Sequence, residues 1–361
     1  MSTRREFVEG TASGVAGIAF VDCSLVAAAT PAQAQTRRRE VVVNGRRVKT
    51  VDVHAHCAVP EAMALMGRQI QPQTLLMSRP ADRLKAMDEQ GIDVEALSIN
   101  PYWYKADRDV ARELIRIQNE KLAEACAANP DRFVAFGSVA LQHPDLAAEQ
   151  LEEGVKKYGL RGAGIGGSVN GEDVSDPKFH PFWAKAEQLG VLVFMHPQAD
   201  GAAADLHGRF KGSGGLDNTI GNPLETTIAL SHLIFEGTLD RFPGLKICGA
   251  HGAGFLASYA HRSDAVLKVF PNRVGTPPKL KPTEYLRNGQ ILADTIMFTG
   301  EAVKHLINVM GVENVVMGTD YPFPWNTDPV DHILSIPDIT DADKIAILGG
   351  TLHRLMGIEN F

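Results

Sequence analysis

Val51-Asp52-Val53-His54-Ala55-His56 decides how the rest of the chain is read. The stretch is short, apolar and β-branched, as expected of a strand buried on both faces. His54 and His56 stand two residues apart at its C-terminal end, so both imidazoles project from one face. Working outward, the chain repeats one rhythm of apolar run, loop and amphipathic helix. Further runs at Val94–Asn100, Phe133–Ala140, Leu160–Gly166, Val191–His196, Leu245–His251, Ile291–Met297 and Asn314–Asp320 read as strands. Helical patterns near 80–90, 107–128, 145–158, 178–189, 223–240, 253–269, 300–311 and 341–356 separate them. Eight strand–helix units in series predict an α/β chain closed into a (β/α)8 TIM-type barrel. An open doubly wound sheet is the alternative; the absence of a glycine-rich phosphate loop after the first strand weighs against it. Val41–Val48, turning at Asn44-Gly45, predicts a short hairpin ahead of the barrel. Two stretches break the rhythm: the glycine-rich excursion Pro197–Asn222, and the proline-rich connector 271–283.

The polar residues then fall in a pattern. His196, His251 and Asp320 each end a predicted strand, as His54 and His56 do. In a parallel barrel all strand C-termini open on one face, so four histidines and a carboxylate converge at one mouth. Imidazole nitrogen with carboxylate oxygen suits a divalent metal such as zinc or manganese, with a position left for water. A lone strand-end histidine is more often a hydrogen-bonding loop residue; five such residues in this order are not explained by packing. The remaining histidines fall mainly in helices or their flanks.

The chain has 361 residues, 44% hydrophobic and 22% charged, a composition that excludes a disordered or collagen-like chain. A net charge of −7, with no basic run beyond residue 39, excludes a nucleic-acid partner and leaves small anionic substrates open. Residues 1–35 read as a twin-arginine-type export signal: Arg4-Arg5, a weakly apolar Ala/Gly stretch, then Ala32-Gln33-Ala34 as a small-x-small cleavage pattern. The apolar stretch is too short and too charged for a stable membrane anchor. The expected location is periplasmic or secreted, or cytoplasmic if the signal is not used, with residues 36–361 forming the barrel domain. Removing the signal removes Cys23 and leaves Cys57, Cys126 and Cys248, too few and too scattered for a disulfide framework. Strand alternation turns Cys57 away from the histidines.

Val53-His54-Ala55-His56, His196-Pro197, Ala250-His251-Gly252-Ala253-Gly254 and Gly318-Thr319-Asp320-Tyr321-Pro322-Phe323-Pro324 together resemble the amidohydrolase superfamily, whose barrel is of the metal-dependent hydrolase type. Pro223–Ala229, Arg241–Lys246 and Asn129–Phe133 are similar to its branch of non-oxidative decarboxylases of the aminocarboxymuconate semialdehyde decarboxylase kind. The resemblance covers most of residues 50–357. It implies His54, His56, His196 and Asp320 as metal ligands, with His251 as a catalytic histidine beside the metal. It also implies one metal ion per subunit, because Arg161–Ile165 lacks the Lys or Glu that bridges two metals; the expected ion is zinc, with manganese as the alternative. Arg262, eleven residues after His251, matches an arginine presented to a neighbouring subunit, which implies a homodimer. The segment between His56 and Asp82 is shorter than in that branch, leaving Arg68 as the candidate for its substrate arginine. Tyr102, Trp103 and Phe323 are expected to line the pocket; a packed loop cluster is the alternative for the Tyr102–Tyr104 aromatics.

The expected activity is metal-dependent, non-oxidative decarboxylation of a small aromatic or unsaturated carboxylic acid, using metal-bound water, His251 and Asp320. Hydrolysis of an amide, ester or lactone, or hydration of a double bond, would use the same residues. A non-catalytic metal or solute binder would not need both His251 and Asp320. N-terminal sequencing of the exported protein is expected to show a start near Gln35; a secreted form beginning at Met1 or Ser2 would contradict cleavage.

Overall fold

The structure, a computed structural model, describes residues 38–69, 75, 80–198, 208–325 and 327–359. The export segment lies outside them. Val41–Val43 and Arg46–Val48 pair antiparallel as the predicted hairpin. The barrel strands follow as β1 (Val51–His56), β2 (Val94–Ser98), β3 (Phe133–Ala135, continued as Gly137–Ser138), β4 (Gly162–Gly166), β5 (Leu192–His196), β6 (Lys246–Gly249), β7 (Ile291–Asp294) and β8 (Val315–Val316). Each pairs in parallel with the next. The ring closes where β8 and its extension meet β1. Val53 donates to the Met317 carbonyl at 3.0 Å, Asp320 to the His54 carbonyl at 2.9 Å, and His56 to the Tyr321 carbonyl at 2.7 Å.

The main outer helices are α1 (Pro80–Gln90), α2 (Arg108–Ala128), α3 (Pro144–Lys156), α4 (His180–Leu189), α5 (Asn222–Phe235), α6 (Leu256–Val269), α7 (Gly300–Met310) and α8 (Thr351–Met356). Helix α2 shows the logic. Asp107 caps it by accepting from the Val110 amide, and Ala111, Leu114, Ile115, Gln118, Asn119 and Leu122 form its buried stripe at helical spacing. Inside the ring, alternate strand residues including Ala96, Phe136, Leu192, Phe194, Leu292 and Val316 make a separate apolar cluster with Leu352 and Met356. This plug leaves only the C-terminal mouth for polar groups.

Several elements depart from the periodicity. The 223–240 pattern breaks into α5 and Thr238–Arg241 around Gly237, whose φ is 78°. The last helical pattern is interrupted by a π-helical turn, Ala346–Gly350. Strands β6 and β8 stop at Gly249 and Val316, short of His251 and Asp320. Strand β1 carries one extra residue against β2 between Asp52 and Ala55. Such a bulge re-aims the side chains in and after it, here His54 within it and His56 beyond it.

Gly162 opens β4 at φ 153°, where a Cβ would lie 1.8 Å from the Leu192 carbonyl oxygen. Gly162→Ala is therefore expected to destabilise the barrel by about 3 kcal/mol or more, read as a lowered midpoint in thermal or denaturant unfolding.

Candidate metal centre

β1 delivers His54 and His56, β5 delivers His196, and the turns after β6 and β8 deliver His251 and Asp320. The five converge. Ligand atoms of His54, His196, His251 and Asp320 all lie within 4.8 Å of one another. His56 joins them, its Nε2 being 3.0 Å from His54 Nε2 and 2.8 Å from Asp320 Oδ1. His54 Nε2 is 3.3 Å from the same oxygen, whereas His251 Nε2 stands 3.8 Å from Oδ2.

Neighbouring groups set the ring orientations. His54 Nδ1 pairs with Asp294 Oδ2 at 2.7 Å, and His196 Nδ1 lies 2.8 Å from the Pro197 carbonyl, which can only accept. Each ring is thereby committed to present Nε2 to the centre. Among the described residues, Nδ1 of His56 and of His251 is buried without a hydrogen-bond partner. Four inward nitrogens and a carboxylate, close together and, among the described residues, without protein donors to satisfy them all, fit a divalent metal.

Electrostatics follow from this crowding. Burial opposes charge on His54, but Asp320 and Asp294 outweigh it and raise its pKa to about 10. Burial pushes His56 down to about 4, and burial with the neighbouring imidazoles holds His196 well below the ordinary range. Burial would raise Asp320, yet His54 and the other histidines hold it well below the usual carboxylate range. The carboxylate is therefore ionised at neutral pH.

His251 and Asp320 both have left-handed backbones, with φ of 56° and 64°. A non-glycine residue there costs on the order of 1–3 kcal/mol and persists only where its surroundings enforce it. Asp294 enforces it at His251, accepting the amides of His251 and Gly252 at 2.9 Å each. Asp52 acts at the seam: Oδ1 accepts the amides of His54 and Thr319, and Oδ2 accepts the Thr319 hydroxyl at 2.6 Å. Neither carboxylate was singled out by the sequence pattern, although Asp294 ends β7 as His196 ends β5.

The expected pocket residues separate. Tyr102 and Phe323 line a cavity of about 150 Å³ beside His56, with Cys57, Met63 and Ile99. Trp103 does not: it is wholly buried, its indole N–H donating to the Val139 carbonyl, and it belongs to the core. Cys57 is buried with its thiol toward the Ser98 carbonyl, outside the donor cluster. A second cavity, of about 390 Å³, is lined by Asn222, His251, Ser258, Met297, Phe298, Asp320 and Trp325. A third, of about 490 Å³, includes Arg68, Tyr102, Tyr104, Lys105 and Gln198. Arg262 is exposed on α6 and lines none of these three. Strand β4 reads Gly-Ala-Gly-Ile-Gly and brings no second-metal ligand.

The family profile described as amidohydrolase matches residues 51–358. The chain belongs to the amidohydrolase family. This amidohydrolase is 30% identical over 314 residues to the 2-amino-3-carboxymuconate-6-semialdehyde decarboxylase of Dictyostelium discoideum, covering 86% of this chain and 85% of the relative. A crystal structure of 5-carboxyvanillate decarboxylase from Sphingomonas paucimobilis superposes with a TM-score of 0.77 at 28% identity, over 86% of this chain and all of that one. A dihydroxybenzoic acid decarboxylase from Polaromonas sp., solved with manganese and the inhibitor 2-nitroresorcinol, gives a TM-score of 0.72 at 27% identity, over 87% and 98%. The relatives and the donor set together support a divalent metal in this amidohydrolase.

Asp294→Asn removes the charge that orients His54 while keeping the shape. Affinity for manganese or zinc, measured by chelator competition, is expected to fall 10- to 100-fold; unchanged affinity would leave Asp294 without that role.

Proposed function

We propose that this amidohydrolase is a metal-dependent, non-oxidative decarboxylase of a small aromatic carboxylic acid. The observation that carries the reading is the position of Asp320: one oxygen faces His54 and His56, the other faces His251 across 3.8 Å at the wall of a 390 Å³ cavity. The decarboxylases it resembles support the same chemistry.

In this reading His54, His56, His196 and Asp320 hold one divalent ion. Manganese is favoured over zinc by the Polaromonas relative. When bound, the ion supplies positive charge that draws electron density from the substrate's carboxylate and an adjacent oxygen. His251, facing the far oxygen of Asp320 across 3.8 Å, is placed to pass a proton to it. Asp320, an ionised carboxylate at rest, relays that proton to the ring carbon bearing the carboxylate. The C–C bond then breaks, its electron pair restoring the ring as CO2 leaves. Phe298 and Trp325, with Met297, offer an apolar wall for the ring, while Asn222 and Ser258 offer polar contacts for its substituents.

The reading also includes a homodimer in which Arg262 reaches the partner's site and holds an anionic group there. Its support is that Arg262 is exposed one turn beyond the cavity residue Ser258, on a helix that also exposes Tyr259. Export by the twin-arginine route remains part of the proposal. Among the described residues no helix is long and apolar enough to cross a membrane.

CO2 release from a panel of hydroxybenzoic and unsaturated acids tests this. Manganese-loaded protein is expected to release CO2 from at least one acid, a chelated control none, and Asp320→Asn to lose on the order of 10²–10⁴ in kcat. Cleavage of lactones or amides with no CO2 from any acid would make the protein a hydrolase.

A further inference from the structure

Arg83 lies on α1, only 2% exposed, and it touches three strands' worth of structure. Its Nη1 donates to Glu95 Oε2 on β2 at 2.8 Å, and its Nη2 donates to the His56 carbonyl at the end of β1. Its guanidinium lies over the Tyr321 ring, 4.5 Å from the centroid. Tyr321 follows Asp320 directly, and its carbonyl accepts the His56 amide at 2.7 Å. A closed circuit results: guanidinium to His56 carbonyl, His56 amide to Tyr321 carbonyl, Tyr321 ring back to guanidinium. The same two segments also meet through His56 Nε2 and Asp320 Oδ1 at 2.8 Å.

We propose that Arg83 is a positioning residue of the metal centre, fixing His56 and the Asp320 turn relative to each other across the barrel seam. The inference rests on His56 and Asp320 being metal ligands, as proposed above. Burying a guanidinium whose only task was to neutralise Glu95 would be a poor exchange, because an ion pair that deep barely recovers its desolvation. The planar fork does what an ammonium cannot. It bonds a carboxylate and a carbonyl in different directions while stacking its face on an aromatic ring. The seam needs such a brace because the Asp320 backbone is left-handed, with φ 64°, and would otherwise relax.

The test compares the parent with Arg83→Lys and Tyr321→Leu by manganese affinity in chelator competition, thermal unfolding, and kcat and KM. Lysine keeps a charge for Glu95 but not the fork or the stack. Arg83→Lys is expected to fold with a melting temperature close to the parent's, bind manganese at least about 10-fold more weakly, and lose kcat more than it raises KM. A lysine variant that binds manganese as tightly as the parent would reduce Arg83 to an ion-pair partner and overturn the proposal. If that variant does not fold, Tyr321→Leu decides: weakened manganese affinity with an intact melt supports the brace, and unchanged affinity overturns it. A parent that binds manganese but releases no CO2 removes the proposed reaction while the affinity comparison still decides Arg83. A parent that binds no manganese overturns both.

Discussion

Asp320 is the group on which the rest of the centre depends. One buried carboxylate faces three imidazoles, and no member of that set would tolerate burial alone. An unpaired buried charge costs several kcal/mol, whereas a mutually satisfied set does not. The arrangement needs strands from opposite sides of a closed ring to end at the same height, which a parallel barrel provides. It also needs the ring to close beside Asp320, because that residue hydrogen-bonds the His54 carbonyl through its own amide. Barrel closure and assembly of the site are therefore one event. Asp52 fastens the same seam from beneath, through His54 and Thr319.

The strand order and the mouth of the barrel were legible because both rest on simple periods. β-branched runs at regular spacing mark strands, and a polar residue at the end of such a run has only the mouth to occupy. What the period could not show is how the last residues turn. His251 and Asp320 sit beyond their strands in left-handed conformations, and nothing in a run such as Leu245–His251 tells where pairing ends. Asp294 decides it, by accepting two amides of the following turn from a neighbouring strand. That is a contact between residues more than forty apart. The bulge in β1 was hidden for the same reason, since it exists only in the pairing with β2.

The aromatics after β2 show a different limit. Tyr102, Trp103 and Tyr104 are adjacent and chemically similar, yet they part company: Tyr102 borders two cavities, whereas Trp103 is buried against Val139. Composition marks all three as contact-makers, and only the path of the loop sorts cavity from core. A barrel of this kind hosts many chemistries, so the donor set at the mouth and the cavities beside it carry the functional argument, not the fold. Here the larger cavity at Asp320 combines an aromatic wall with neutral polar groups, a setting for a ring that carries hydrogen-bonding substituents.

The central claim is that a proton is delivered to carbon as CO2 departs. Turnover of the best acid in D2O by the manganese-loaded protein, followed by mass spectrometry of the product, tests it directly. The expected product lacks the carboxylate and carries one deuterium on the vacated carbon. A product that keeps every carbon and gains oxygen from the solvent would contradict it.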